Sequence, residues 1–142
     1  MPTVYGKAFS GTDKGKLAPG TSHDAATRGY RNTFELAVNG GGGTASALLF
    51  AKVREGSNVH GFDVTSDVNL SGINFTIGTD AEPAKYCAAF AGPAANATVR
   101  PQVKIGPLMA DALTRLEEIK LFPNVALPAA GNIVARATAT HR

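Results

Sequence analysis

The sequence has little of the side chains that carry most enzyme chemistry. It contains one cysteine, no tryptophan and three histidines in 142 residues, and charged residues make up 18% of the chain, against about 25% in an average soluble domain. The single Cys87 excludes an intrachain disulfide, and we interpret it as a small buried hydrophobe. No apolar run approaches the length of about 18 residues that a membrane helix needs, and residues 1–10 lack the apolar core of a signal peptide.

The candidate catalytic and metal-binding groups do not have the required spacing. They are His23, His60 and His141, the aspartates Asp63, Asp67 and Asp80, and the adjacent carboxylates Glu117 and Glu118. No histidine pair has zinc-ligand spacing, and the aspartates do not follow the calcium-loop pattern. Neighbouring carboxylates on a strand point to opposite faces, so they would not share a substrate. The glycine run 40–43 lacks the order of a phosphate loop. We therefore predict no enzymatic activity, no metal and no cofactor.

Glycine, proline and β-branched residues are abundant instead, and they favour strands separated by turns. Ile73, Phe75 and Ile77 alternate with polar residues, which places three large side chains on one face of a strand. The stretch 132–140 alternates in the same way, and 45–53 is apolar enough for a strand buried on both faces. Six to eight short strands predict an all-β fold, an antiparallel β-sandwich or a jelly-roll-like barrel.

Four further stretches are less regular. Residues 84–90 fit a short helix that Asp80 would cap, and 109–117 has one apolar helical face. Residues 97–105 fit a strand, and Pro101 inside it predicts an edge strand or a bulge because proline cannot donate to the ladder. Residues 118–125 resume a strand pattern.

The net charge of +3 lies entirely near the N-terminus. Residues 1–31 carry five basic and two acidic side chains, and the other 111 residues carry nine of each. Glycine and proline recur through this segment, and strand signals begin at Thr33, with Thr33 to Val38 the first strand-like stretch. We therefore divide the chain into an extended N-terminal arm, 1–32, and a β-sandwich domain, 33–142.

Two phrases in the sequence carry a resemblance to a known family. One is INFTIGTDAEPAKYCAAF at 73–90, and the other is LPAAGNIVARATATH at 127–141. Their order, with a Gly/Ala-rich loop and a strand between them, resembles small structural proteins of tailed-phage virions. The resemblance covers roughly residues 33–142 and leaves the arm outside it. Both phrases describe strand ends and turns, not a catalytic signature.

The resemblance implies a capsid decoration or cement protein, made in the host cytoplasm and located on the virion surface. The implied partners are the major capsid protein and neighbouring copies of the chain, as a dimer or trimer, without a membrane. Nucleic acid is not favoured, because the basic charge is modest and no aromatic residues are interleaved with it. The hypothesis places shell contact on the arm, at Tyr5, Lys7, Phe9, Lys14, Lys16, Arg28, Tyr30 and Arg31.

Two alternatives remain open at this stage. The first is another virion role, as a neck, tail or head-fibre component, which copy number per particle would distinguish. The second is a carbohydrate-binding β-sandwich. Such sites present exposed aromatic platforms, and the chain offers only Tyr5, Tyr30 and Tyr86 besides its phenylalanines.

Overall fold

The alternating stretches of the sequence form the strands of two packed β-sheets. The computed structural model describes Thr3, Val4, Gly6 and residues 27–39 and 42–141. Its elements are β1 (Thr3–Val4), β2 (Thr27–Glu35), α1 (Leu36–Asn39), β3 (Ala47–Val53), β4 (Ser57–Ser66), β5 (Asn74–Gly78), β6 (Cys87–Ala91), β7 (Ala97–Val99), α2 (Ile105–Met109), β8 (Glu117–Pro123) and β9 (Asn132–His141).

One sheet has five strands in the order β1-β3-β8-β5-β6, and the other has four in the order β2-β9-β4-β7. All strand pairs are antiparallel except β1 and β3, which run parallel. β2 packs on β3 across the two sheets, so the β1 and β2 edges lie on the same side of the sandwich. The strand order then puts β6 and β7 at the far ends of their sheets.

Both sheets bury their facing side chains in one core. Phe50 and Phe62 meet edge to face, with ring centroids 5.9 Å apart and planes at 80°, an arrangement that aromatic rings prefer. Small residues line the facing side of β9, where Ala135, Ala137 and Ala139 are buried. The larger fully buried side chains are Phe34, Leu36, Leu48, Leu49, Phe50, Leu70, Phe75, Ile77, Ile119, Leu121 and Ile133.

The predicted sandwich is confirmed, and its most regular strands lie where the sequence places them. All seven residues of β3 are buried, as expected for a strand covered on both faces. Ile73, Phe75 and Ile77 are buried together, the last two on β5. β9 extends the predicted stretch 132–140 by one residue.

The first long strand begins earlier than predicted. β2 starts at Thr27 instead of Thr33 and pairs with β9 along its full length, from Thr27 opposite Thr140 to Glu35 opposite Asn132. The chain then makes the single helical turn α1 instead of continuing as a strand to Val38. Residues 27–32, which the sequence placed in the arm, are therefore part of a sheet. The functional division at residue 32 stays a prediction.

The helix predicted over 84–90 is wrong, because that stretch holds the strand β6. A tight turn precedes it, in which the Lys85 N–H donates to the Glu82 carbonyl at 3.0 Å. The Tyr86 N–H then donates to the Ile77 carbonyl at 2.9 Å, and pairing with β5 follows. Pairing with β5 gives backbone N–H and C=O groups of β6 the hydrogen-bond partners that they would otherwise find within a helix. Asp80 caps no helix and contacts Lys120 instead.

The stretch 97–117 also departs from the sequence interpretation. The strand β7 ends at Val99, so Pro101 lies beyond it, although β7 does occupy the predicted edge position. The helical segment is the single turn α2, ahead of the predicted 109–117. β8 covers most of the predicted strand 118–125. Within the described ranges, no helix has the length and hydropathy to cross a membrane.

Candidate interaction surfaces

The predicted arm residues divide into described and undescribed positions. Tyr5, Lys7, Phe9, Lys14 and Lys16 lie outside the described residues. Arg28 belongs to β2 by its backbone, but its side chain also lies outside the description. Arg31 is exposed on β2. Tyr30 is 3% exposed and pairs with Ala137 in the ladder, so its ring belongs to the core and offers no surface to a partner in this conformation.

The described N-terminal residues contact the sandwich closely. Thr3 and Val4 pair with Ala47 and Leu48 of β3, and Val4 is buried. Gly6 lies so close to the Asn32 side chain that an added Cβ would collide with it. Both ends of the stretch 7–26 therefore connect to the sandwich, at Gly6 and at Thr27.

Lys120 joins this N-terminal strand to the rest of the sheet. Its ammonium lies 3.0 Å from Thr3 Oγ1 and 2.9 and 2.8 Å from the two carboxylate oxygens of Asp80. The Lys120 side chain is 6% exposed, whereas that of Asp80 is 73% exposed. A buried cation needs such partners, because burial without them carries a large desolvation cost.

The adjacent carboxylates Glu117 and Glu118 point to different partners, as predicted for neighbours on a strand. Glu117 accepts hydrogen bonds from the Tyr86 hydroxyl and from the Lys85 ammonium, the latter at 2.6 Å. Glu118 lies 3.9 Å from Lys52. Burial and the Glu117 contact raise the pKa of Tyr86 above its usual value. These groups hold strands and turns together and do not converge on one open site.

The remaining candidate groups are likewise dispersed. Asp63 contacts Arg100 at 3.1 Å, and His60 contacts the Thr140 hydroxyl at 3.0 Å. The Asn132 backbone N–H, 2.7 Å from Asp67 Oδ1, lowers the pKa of that carboxyl. His23 and the side chain of His141 lie outside the described residues. Among the groups that are described, no three histidines, cysteines or acids are placed to hold one metal ion.

Cys87 is fully buried in β6, in line with the interpretation of this thiol as a small hydrophobe. Burial raises its pKa to about 12, so the thiol stays protonated at neutral pH. A nucleophilic cysteine needs the opposite shift, because the thiolate is the reactive form.

An exposed apolar surface around α2 is not predicted from the sequence. Ile105, Leu108 and Met109 are 69%, 46% and 80% exposed. The sequence feature that could indicate this surface is a run of large apolar residues interrupted by Pro101, Gly106 and Pro107. These interruptions prevent the apolar side chains from packing regularly along one helical face.

Two shallow grooves flank this segment. One, with a volume of about 410 Å³, lies between β6 and residues 101–105. The other, of about 350 Å³, lies between residues 100–103 and the outer face of β4 and β9. We call the first the β6 groove, lined by Ala88, Ala89, Phe90 and residues 101–105.

The architecture is thus a two-sheet all-β sandwich with an exposed apolar surface at α2. A chain in the capsid of Ralstonia phage GP4 has this fold, with a TM-score of 0.66 and 11% identity over 99% of this chain and 98% of that chain. A chain in the capsid asymmetric unit of cyanophage Pam1 gives 0.59 and 18% over 94% and 98% of the two chains. At these identities the likeness establishes the fold. No protein-family model and no curated protein matches the chain.

Proposed function

We propose that this protein is a virion structural protein that binds the outside of a phage capsid and stabilises the shell. The observation that carries the proposal is the extent of the structural likeness. Each alignment covers 98% of a chain from a phage capsid structure and at least 94% of this chain. The likeness therefore extends over nearly the full length of both chains. A likeness of this extent supports the proposal better than a sandwich core alone, because unrelated domains can share such a core.

The physical properties of the molecule support this role. A decoration protein requires a stable domain with surfaces for partners and no catalytic machinery. The exposed apolar residues at α2 supply one such surface, since contiguous apolar patches mark interaction sites. Many identical copies on a shell also turn a modest contact into a large total stabilisation. The partners in this proposal are the major capsid protein and neighbouring copies of the chain.

We propose that the basic N-terminal segment, residues 1–31, also contacts the shell. Lys7, Lys14, Lys16, Arg28 and Arg31 would steer the chain toward an acidic shell surface. Burial of Tyr30 removes that residue from the contact set. A test by deletion of residues 1–31 would also remove β1 and most of β2, so charge reversal within the segment is the cleaner experiment.

Copy number in purified particles tests the proposal directly. Quantitative mass spectrometry would compare this protein with the major capsid protein in virions of the source phage. We expect one copy per capsid subunit, or a simple fraction of that ratio. A few copies per particle would instead assign the protein to the neck, the tail or a head fibre. Its absence from particles would overturn the proposal.

A further inference from the structure

Among the described strands, four lie at the ends of the sheets, and they differ in how well their outer edges are protected. Natural proteins block such edges with very short strands, charges, prolines or bulges, because unpaired backbone groups recruit other strands. β1 has two residues, and β7 has three followed by Arg100 and Pro101. β2 carries Arg28, Arg31 and Glu35.

Within Cys87–Ala91, whose sequence is CAAFA, β6 carries neither a charge nor a proline, and the protection it does have is a bulge. Its register against β5 moves by one residue, so that Ala88 and Ala89 together oppose Thr76. A bulge of this kind leaves the extra residue unpaired in the ladder. Ala88, Ala89 and Ala91 are exposed. β6 is the last strand of its sheet, and its exposed Ala88 and Ala89 line the β6 groove without a charged side chain.

The opposite wall of the groove is held in place beside the strand. The Lys104 N–H donates to the Tyr86 carbonyl at 2.7 Å, which ties residues 101–105 to the residue before β6. Lys104 is the only ionisable side chain among the lining residues, and it is exposed. Ile105, 69% exposed, lies at the end of this wall. The groove thus combines a free strand edge, apolar side chains and one positive charge.

We infer that the β6 groove binds an extended segment of the shell subunit, added to β6 as a further strand with an acidic side chain near Lys104. The strand edge selects an extended polypeptide, because main-chain hydrogen bonds supply the affinity in strand addition. The charge selects a carboxylate. A second copy of this chain fits less well. If two copies paired through β6 about a two-fold axis, each Lys104 would face the β6 groove of the other copy, and the residues that line that groove include no carboxylate. The inference rests on the proposed function.

Charge reversal at the groove tests the inference. Shells of the source phage, prepared without this protein, would be titrated with wild-type protein, Lys104→Glu and the control Arg54→Glu, which makes the same change on an exposed turn. We expect Lys104→Glu to bind about 10-fold more weakly or worse, and Arg54→Glu to bind within about 2-fold of wild type; a 10-fold loss corresponds to about 1.4 kcal/mol. Equal binding of wild type and Lys104→Glu would overturn the inference alone. Failure of wild type to bind would overturn the proposed function with it.

A photo-crosslinking residue, p-benzoylphenylalanine, identifies the occupant without depending on an affinity change. It would be placed at exposed Gln102, which lines the groove, and at exposed Glu55 as the control. We expect the Gln102 position to crosslink a segment of the shell subunit that contains an acidic residue, and the Glu55 position to give no such product. A crosslink to a second copy of this chain, or the same yield from both positions, would overturn the inference.

Discussion

The Lys120 ammonium lies 2.8 Å from Asp80 Oδ2, so one exposed turn residue neutralises a cation buried in the middle of a sheet. β8 lies between β3 and β5, and Asp80 follows β5 in the chain. The contact therefore joins the β5–β6 turn to β8. Through Thr3 Oγ1 the same ammonium also holds the first described strand.

Mutation of Asp80 and mutation of Lys120 should lower the free energy of unfolding by different amounts. Asp80→Asn leaves Lys120 buried with a weaker partner, and we expect a loss of about 1–3 kcal/mol in the free energy of unfolding. Lys120→Met keeps the buried aliphatic stem and leaves Asp80 in solvent, so it should cost less. Urea unfolding of both single variants and the double variant measures this. A larger loss for Lys120→Met than for Asp80→Asn would contradict the assignment.

Gly78 should be far less tolerant of a side chain than Gly72. A Cβ at Gly78 would collide with the Glu82 carbonyl oxygen and lie 2.7 Å from the Lys85 backbone nitrogen, whereas one at Gly72 would meet nothing within 4 Å. Because the obstruction is backbone, the turn itself must move. We expect Gly78→Ala to cost about 2 kcal/mol or more and Gly72→Ala less than about 0.5 kcal/mol. Similar melting temperatures for the two variants would contradict this account of the turn.

The alanine face of β9 should resist enlargement. Ala137 is fully buried and lies opposite Tyr30 on one neighbouring strand and Phe62 on the other. Ala137→Val inserts two methyl groups into a filled space, which costs about 1–3 kcal/mol. Ala91→Val makes the same change at an exposed strand position and should be close to neutral. Chemical denaturation of both variants checks the difference, and equal stability would mean that the sheets do not pack closely at Ala137.

The strands with a strong local period could be predicted from the sequence. Ile73, Phe75 and Ile77 identify β5 because alternation is a property of the segment itself. β6 could not be identified in this way. Tyr86, Cys87 and Phe90 also fit one face of a helix, and the pairing of Phe90 with Phe75 decides the outcome. That pairing is non-local, so no window of sequence around β6 contains it.

The interaction surfaces were harder to predict than the fold. The sequence pattern favours the N-terminal charges as the contact surface and does not indicate α2, because Met109 fits the apolar helical face predicted over 109–117. Met109 is exposed instead, since the turn is too short to present a continuous face. The sequence places Tyr30 in the extended arm because glycine and proline recur through residues 1–32. Pairing of β2 with β9 buries its ring.

Alkaline pH should destabilise the fold through two adjacent residues. Burial raises the pKa of Cys87 from 9.0 to about 12, and burial with the Glu117 contact raises that of Tyr86 above 10.0. Above about pH 9 the unfolded chain releases the Cys87 proton and above about pH 10 that of Tyr86, while the folded chain retains both. The contribution of these two groups to the free energy of unfolding is therefore fully present below about pH 9 and decreases as the pH rises above that value.

Urea midpoints between pH 7 and pH 11 measure this dependence. Cys87→Ala should flatten the decline that begins near pH 9, and Tyr86→Phe should flatten the part above pH 10, although each variant is less stable than wild type at pH 7. Curves for both variants that run parallel to the wild-type curve over the whole range would contradict the assignment.

Reversal of the N-terminal charges should weaken shell binding without weakening the fold. Lys7, Lys14 and Lys16 supply three of the five basic side chains in residues 1–31, so changing all three to Glu converts the net +3 of that segment to −3. Electrostatic attraction to an acidic partner then becomes repulsion, and we expect affinity for shells lacking this protein to fall by about 10-fold or more at low salt.

The salt dependence separates this effect from a structural one. Screening at about 1 M salt shortens the range of the interaction to about 3 Å, so the difference between the triple variant and wild type should shrink there. The control reverses Arg54 and Arg115, two exposed basic residues outside the segment and outside both grooves, and it should lose less affinity per reversed charge than the N-terminal variant at low salt. If the two variants lose the same affinity per reversed charge, net charge alone governs docking and the N-terminal segment has no special role.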